Sequence, residues 1–383
     1  MLSVNNVTNY PNPHPGDFHA GLENIVAAQT RLSRVEGERG ELTIAGFAVE
    51  EIAPRATFEE MVHLLWYDTL PNRDQLAEFR ARLAAEWTLS AVELNVLRAA
   101  AVRRIPTMDA LRMSAGTLDP RSSNEVAILG RLPTMVATYV HLLEGQEPIE
   151  PHADLGHAAN YLYMLLGREP YAQETRALET YLNAVMDHGL NASTFAARVI
   201  ISTDTDLVSA VVGALGALKG PLHGGAPGPA LDMVFDIGEE SRAEAYLRAK
   251  LDRGERLMGF GHRVYRARDP RADVLGTAAD LLYREAGDMA LYRLAKSVEQ
   301  TALQLLAEYH PERKLQTNVE FYTALLLHGL GFPTDLFTPT FAISRAAGWL
   351  AHCQEQREQK RLIRPQSEYV GASGRQWIPL PAR

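Results

Sequence analysis

The chain has 383 residues, of which 46% are hydrophobic and 22% are charged, and its formal net charge is −9 at pH 7. This composition is ordinary for a folded globular protein and excludes the disordered and low-complexity classes. The length predicts two domains, or one large and one small. We expect neither a nucleic acid nor a membrane as a partner.

The N-terminal sixteen residues are rich in asparagine and proline and contain neither a basic nor an apolar stretch. They are interpreted as an extended arm rather than a signal peptide. No uncharged apolar run of eighteen or more residues occurs, which counts against a membrane span. Cys353 is the single cysteine, so no internal disulfide can form, and its apolar neighbours predict a core position. Together these features predict a cytoplasmic protein.

Apolar residues recur mostly at spacings of three and four, which predicts a mainly α fold. Capping-box patterns that begin at Thr57 and Ser90 support two helix starts. The segment 41–49 is the best strand candidate and predicts a small hairpin. The predicted helices are 57–68, 73–87, 91–104, 123–143, 153–166, 173–188, 192–203, 206–219, 228–237, 241–252, 272–285, 291–309, 318–329 and 338–360.

Glycine and proline cluster at 220–229 and again at 329–339. These clusters bracket a segment that could form an inserted smaller domain. We therefore assign 223–325 to a small domain, and 1–222 with 326–383 to a large domain. A cleft between two such domains is the natural place for a site.

Two histidines lie in glycine-rich turns, His223 in GPLHGG and His262 in GFGHRVY. Flanking glycines let the backbone approach a ligand closely. Six arginines but only three acidic residues lie between positions 253 and 273. Cations concentrated beside a polarising histidine predict an anionic substrate that bears a carbonyl group.

Four further residues have both a functional and an ordinary interpretation. His188 ends a predicted helix, where it either meets a ligand or only complements the helix dipole. Glu320 lies in an apolar segment, where it is either a base in the cleft or a residue on a solvated helix face. Arg345 is the one charge in an apolar run and requires a buried or anionic partner. Arg364, in an extended segment, either reaches another surface or is solvated.

Several stretches together resemble the citrate synthase family. They are GLENIVAA at 21–28, NASTFAAR at 191–198, GPLHGG at 220–225, GHRVY at 261–265, DPRA at 269–272, NVEFY at 318–322, SRAAGWLAH at 344–352 and RPQSEYVG at 364–371. The resemblance implies a nearly all-α, two-domain helical fold and a homodimer. Its large domain would carry the dimer contact and part of the oxaloacetate site. Its smaller mobile domain would bind CoA and supply the catalytic base.

By this resemblance, Glu320 removes a methyl proton of acetyl-CoA while His223 hydrogen-bonds the thioester oxygen. His262 then polarises the ketone of oxaloacetate. Oxaloacetate binding is implied for His188, Arg271, Arg345 and Arg364, the last of these entering the partner subunit's site. CoA binding is implied for Arg263, Arg266, Arg268 and Lys314. Acetyl-CoA is a co-substrate, and neither a metal nor a permanently bound cofactor is expected.

The chain departs from the family pattern at three positions. Most members carry an aspartate where this chain has Glu320, which is one methylene longer. Many relatives have a histidine at the position of Val185 and an acidic residue at that of Gly189.

Three alternatives remain open at this point. The first is a 2-methylcitrate synthase that uses propionyl-CoA, since one methylene changes discrimination by only about 1–3 kcal/mol. The second is a metal-dependent lyase, although no H-x-x-x-H or H-E-x-x-H spacing supports it. The third is a non-catalytic paralogue that binds acyl-CoA or a dicarboxylate.

Overall fold

The computed structural model describes residues 18–23, 25–224, 227–262 and 264–382. This part of the chain contains sixteen α-helices and one three-stranded antiparallel sheet, with the order β1-β2-β3. The strands are β1 (Ser33–Glu36), β2 (Glu41–Ile44) and β3 (Phe47–Ala48). The helices are α1 (Val49–Ile52), α2 (Phe58–Tyr67), α3 (Arg73–Ala85), α4 (Ala91–Val102), α5 (Thr107–Ala115), α6 (Glu125–Leu143), α7 (His157–Leu166), α8 (Ala172–Val185), α9 (Ala192–Ile201), α10 (Leu207–Leu218), α11 (Pro227–Ile237), α12 (Ala243–Asp252), α13 (Pro270–Ala286), α14 (Ala290–Tyr309), α15 (Val319–Gly329) and α16 (Phe337–Gln359).

The mainly α prediction is confirmed, and each predicted helix corresponds to an observed one within a few residues. The capping boxes predicted at Thr57 and Ser90 form at the starts of α2 and α4. Each satisfies backbone N–H groups that the first helical turn leaves unpaired. An unpredicted third box begins α3.

Two helices, α1 and α5, and one strand, β1, were not predicted. The short helix α5 follows Pro106, which has no side chain that could cap it, so the sequence carries no start signal there. Burial of residues such as Ala110 and Leu111 stabilises it instead. The predicted hairpin at 41–49 contains β2 and β3, but β1 was not foreseen as its third strand.

Helix α6 lies in the core, packed against α4, α5, α7 and α16. By length and composition it is the one helix in the described ranges that could cross a membrane. In this fold 78% of its apolar window is buried inside the protein, which is what a core helix requires. The predicted core position of Cys353 is confirmed, since it is buried in α16.

The segment bracketed by the glycine and proline clusters contains α11 to α15. Helix α12 packs on α14, and α11 packs on α15. Helix α13 packs on both α15 and α8, and therefore joins this segment to the rest of the chain. The starts of α13 and α15 meet at this junction, where Val319 N–H donates to Asp269 Oδ2 at 3.2 Å. After α16 the chain runs without helix or strand through 361–379, largely exposed.

Candidate active site

The turn that carries His262 lies against the start of α15. Gly261 N–H donates to the carbonyl oxygen of Gln316 at 2.7 Å, and Phe260 pairs with Thr317 as an isolated bridge. The side-chain amide of Asn318 donates to Gly261 O at 2.7 Å. This pairing brings His262 beside the first turn of α15, which contains Glu320.

Glycine is required at position 259 of this turn. Its φ of +85° is a conformation that L side chains rarely adopt, and a Cβ atom there would lie 2.9 Å from Cβ of Phe321. Glycine at this position therefore allows the turn to pack closely against α15.

The His262 ring is held in one tautomer. Its Nδ1 faces the backbone N–H groups of Val264 and Tyr265 at 3.0 and 3.1 Å. Because a backbone amide can only donate, Nδ1 is the acceptor and the proton lies on Nε2. Burial, reinforced by the charge of Arg271, lowers the pKa of His262 to about 4. The ring is therefore a neutral hydrogen-bond donor at neutral pH.

His188 lies against the same turn. Its Nε2 is 3.1 Å from the hydroxyl of Tyr265, and its ring centroid is 5.6 Å from that of His262. Burial, together with the charges of Arg271 and Arg345, lowers the pKa of His188 well below its usual value. A second neutral imidazole thus lies beside the turn that carries His262.

His223 is held by the N-terminal turn of α9. Its Nε2 lies 2.8 Å from the hydroxyl of Ser193 and 3.3 Å from the Ser193 backbone N–H. The same hydroxyl accepts from Trp349 Nε1 at 3.1 Å and lies 2.8 Å from Oδ1 of Asn191, the residue that caps α9. Burial, reinforced by Arg345, lowers the pKa of His223 to about 4.

Arg271 is paired with a buried carboxylate at the start of α13. Its Nε and Nη2 donate to the two oxygens of Asp269 at 3.0 and 2.8 Å. Both residues are at most 4% exposed. Burial alone would raise the pKa of Asp269, but the charge and hydrogen bonds of Arg271 outweigh it and lower that pKa. The guanidinium is therefore fixed before any ligand binds.

Arg345 is buried in a different environment. Its Nε donates to the carbonyl oxygen of Val185 at 2.7 Å, and its guanidinium lies 4.6 Å from the ring centroid of Phe341. No ion pair to it is found within the described ranges. Burial lowers its pKa to about 10, so it still carries a full charge at neutral pH. Its buried hydrogen-bond partner is therefore the carbonyl group of Val185, and the charge of buried Asp187 acts on it from beyond ion-pair distance.

Glu320 lies partly buried in the first turn of α15, where its N–H donates to Asn318 Oδ1 at 2.9 Å. Burial raises its pKa to about 7, although Arg271 and Arg345 oppose the shift. The alternative of a solvated helix face does not fit this burial. A carboxyl group that titrates near neutral pH is suited to general-base chemistry.

The two arginines connect these groups electrostatically. Arg271 acts on Glu320, His262 and His188, and Arg345 acts on Glu320, His223 and His188. These electrostatic interactions link the six predicted residues, and the rings of His188 and His262 are in direct contact.

Three of the four predicted CoA ligands lie around one cavity of about 540 Å³. Arg266 and Lys314 are exposed there, whereas Arg268 is already paired with Asp273 and Glu299. Arg263 lies outside the described residues. Arg364 is exposed on the extended C-terminal segment, and none of the contacts found within this single chain links it to the six clustered residues.

Three residues that hold the site were not predicted. Asp269 pairs Arg271, Ser193 holds His223, and Tyr265 contacts His188. The Asp-Pro pair at 269–270 is a helix-start pattern that could have marked Asp269. Nothing in the spacing of Tyr265 or Ser193 foretells these contacts.

The family described as "Citrate synthase, C-terminal domain" matches residues 21–366. Citrate synthase of Haloferax volcanii is 40% identical over 96% of this chain and 100% of its own length. 2-Methylcitrate synthase of Shewanella oneidensis is 36% identical over 95% of this chain and 98% of its own.

Solved structures agree with these sequence relatives. Citrate synthase from Pyrobaculum aerophilum superimposes with a TM-score of 0.88 at 34% identity, over 100% of this chain and 99% of its own. A further match is a solved structure of citrate synthase from Thermoplasma acidophilum.

 That structure, described as the ternary complex of carboxymethyl coenzyme A and oxaloacetate with citrate synthase, has a TM-score of 0.86 at 28% identity and covers 94% of this chain and 98% of its own. The all-α fold is therefore shared along almost the whole length.

Proposed function

The chain belongs to the citrate synthase family and is an enzyme of that type, and from this premise we propose that it condenses acetyl-CoA with oxaloacetate and water to give citrate and CoA. One observation carries the proposal: two buried arginines act electrostatically on three neutral histidines and on a carboxyl group whose pKa is raised to about 7. Such a site can bind a dianion, donate hydrogen bonds to carbonyl oxygens and accept a proton.

The first step is formation of the enolate. Glu320 removes a methyl proton of acetyl-CoA, and His223 donates a hydrogen bond to the thioester oxygen as negative charge develops on it. The Ser193 backbone N–H that faces His223 Nε2 can only donate. The Ser193 hydroxyl, whose proton goes to Asn191 Oδ1, can only accept from the same nitrogen at 2.8 Å, so the two contacts fix the position of the ring and not its tautomer.

The second step joins the two substrates. Arg271, Arg345 and His188 bind the carboxylates of oxaloacetate, for which guanidinium groups offer paired donors. The Nε2–H of His262 polarises the ketone and transfers its proton to the oxygen as the enolate carbon attacks the ketone carbon. The product of that bond is citryl-CoA. Water then cleaves the thioester, which releases citrate and CoA.

The remaining assignments complete this proposal. The small domain comprises 223–325, and the large domain comprises 1–222 with 326–383. Closure between them excludes water from the enolate. In a cytoplasmic homodimer, Arg364 enters the partner subunit's site. The CoA phosphates meet the cations Arg263, Arg266, Arg268 and Lys314, and no cofactor is bound permanently.

A second candidate is condensation of propionyl-CoA with oxaloacetate to give 2-methylcitrate. This candidate is supported by the similarity of the chain to the Shewanella oneidensis relative, which is named 2-methylcitrate synthase. The deciding experiment measures kcat/KM for CoA release from acetyl-CoA and from propionyl-CoA with oxaloacetate. A higher value for acetyl-CoA supports the first proposal, and a higher value for propionyl-CoA replaces it with the second.

The metal-dependent alternative receives no geometric support. Within the described ranges, no group of three or more His, Cys, Asp or Glu side chains is arranged to hold a metal ion. Full activity after exhaustive chelation is the result that we expect.

A further inference from the structure

The hairpin formed by β1 and β2 spans the distance between two parts of the proposed site. We propose that this hairpin fixes the position of His188 relative to the loop 264–268, with Ser33 and Gly37 as positioning residues. The inference rests on the proposed function, because it concerns the alignment of the oxaloacetate ligands with the CoA cavity.

One end of the hairpin holds the backbone on both sides of His188. The hydroxyl of Ser33 donates to Asp187 Oδ2 at 2.5 Å and accepts from the N–H of Gly189 at 2.7 Å. Gly189 has a φ of +59°, a left-handed conformation that glycine adopts readily. One hydroxyl thereby fixes the residues that precede and follow His188.

Asp187 is a firm anchor for Ser33 because it is itself held. It is fully buried and lies 3.1 Å from His352 Nε2. His352 Nδ1 faces Arg198 Nη1 at 2.9 Å, and since a guanidinium can only donate, Nε2 carries the proton and donates to Asp187. Burial alone would raise the pKa of Asp187, but His352 and Ser33 outweigh it and lower that pKa.

The other end of the hairpin touches the loop 264–268 through backbone atoms. Arg266 N–H donates to the carbonyl oxygen of Gly37 at 2.9 Å. A Cβ atom at position 37 would lie 2.3 Å from the carbonyl oxygen of Val264. A Cβ atom at position 40 would lie 2.6 Å from that of Arg268. Only glycine allows the two backbones to approach so closely.

The hairpin is short and anchored in the core. Gly37 lies four positions after Ser33, which corresponds to about 13 Å of extended strand. The pairing strand β2 contributes Leu42 and Ile44 to the core, each at most 1% exposed. Because the strand can neither stretch nor tilt freely, a displacement at one end changes the distance between His188 and the loop that borders the CoA cavity. Glu38, in the turn, also lines that cavity.

The first test is Gly37→Ala, with Gly46→Ala as the matched control. Relieving a 2.3 Å contact to ordinary van der Waals distance requires the loop to move by about 1 Å, and such a misplacement can cost about a hundredfold in rate. Gly46 lies in the turn between β2 and β3 with a φ of +88°, yet a Cβ atom there meets nothing within 4 Å. Its replacement therefore imposes backbone strain without the contact.

We expect Gly37→Ala to lower kcat/KM about a hundredfold relative to Gly46→Ala, at a similar Tm. A difference below twofold between the two folded variants would contradict the proposal. If Gly37→Ala does not fold, Ser33→Ala decides, because it removes a hydroxyl and introduces no new contact.

Ser33→Ala removes both hydrogen bonds of the hydroxyl, and we expect the calorimetric Kd for oxaloacetate to rise about tenfold, which corresponds to about 1.4 kcal/mol. The control is Ser209→Ala, which removes a similar hydroxyl bonded to Asp206 Oδ2 at 2.8 Å on the surface. An unchanged Kd in Ser33→Ala overturns the inference. This Kd is measured without turnover, so it does not depend on whether the wild-type protein releases CoA. The release of CoA is the separate test of the proposed function.

Discussion

Arg271 and Arg345 are both buried arginines of one site, yet their surroundings are opposite. Arg271 forms two hydrogen bonds with the carboxylate of Asp269 at the start of α13. Arg345, in the middle of α16, has a carbonyl oxygen and an aromatic ring instead. The first arginine is neutralised and fixed in advance, whereas the second keeps a charge that a substrate carboxylate can satisfy. The difference teaches that Arg271 offers a ligand a guanidinium already oriented by Asp269, whereas Arg345 offers a charge without an ion-pair partner among the described residues.

The largest expected effect concerns Glu320, on which both arginines act. We expect Glu320→Gln to lower kcat about 10³- to 10⁴-fold, near the upper range for loss of a general base. The amide is nearly isosteric and the arginines remain, so the Kd for oxaloacetate should change little. Steady-state kinetics and calorimetry check both parts. A loss of kcat below tenfold would remove Glu320 from the role of base.

Replacing each arginine by methionine tests the comparison itself. Arg271→Met leaves Asp269 as an unpaired buried charge and should lower the free energy of unfolding by about 3–5 kcal/mol. Arg345→Met removes a cation without a close carboxylate partner and should lower it by less than about 1 kcal/mol. Urea unfolding without substrate measures both values. Equal losses in the two variants would show that the two environments are energetically alike.

The same Arg345→Met variant should bind substrate poorly. We expect its KM for oxaloacetate to rise about a hundredfold, because a desolvated charge pair with the substrate is worth about 2–5 kcal/mol. An Arg357→Met variant, which removes an exposed arginine later in α16, serves as the control. If the KM of Arg345→Met equals that of the control, Arg345 does not contact the substrate.

The smallest effect is a pH dependence. Glu320 must be ionised to act as a base, so kcat/KM should fall tenfold per unit as pH drops below about 7, the pKa to which burial raises it. Arg345 lowers that pKa, so Arg345→Met should move the activity limb to higher pH. If kcat/KM falls at the same pH in Arg345→Met as in the wild-type protein, Arg345 does not affect the pKa of Glu320.

The raised pKa of Glu320 also predicts a stability effect with a definite sign. In the unfolded chain the carboxyl group ionises near 4.5, whereas in the folded protein it resists ionisation up to about 7. The folded state is therefore disfavoured progressively as pH rises from about 4.5 to 7, and by about 3 kcal/mol at most above that. Glu320→Gln should consequently raise the Tm at pH 8 and leave it nearly unchanged at pH 4.

Much of the fold could be predicted because local sequence patterns determine where many of the helices lie. The apolar periodicity of α6 and α16 and the capping boxes of α2 and α4 require no knowledge of distant residues. Helix α5 and strand β1 could not be predicted, since they are short and are stabilised by packing against residues far along the chain.

The site was predictable in its residues but not in its connections. Glycines around His223 and His262 mark turns that approach something closely, and this signal is local. The pairing of Arg271 with Asp269 and the bond of His188 to Tyr265 depend on the tertiary fold. The sequence also suggested a buried or anionic partner for Arg345, but a lone charge in an apolar run does not specify whether that partner is protein or substrate.

Release of CoA from acetyl-CoA in the presence of oxaloacetate tests the central claim most directly, with the product identified as citrate by mass. We predict rapid release by the wild-type protein that depends on oxaloacetate and is lost in His262→Ala. Absence of oxaloacetate-dependent release with both acetyl-CoA and propionyl-CoA, or equal release by His262→Ala, would contradict the account.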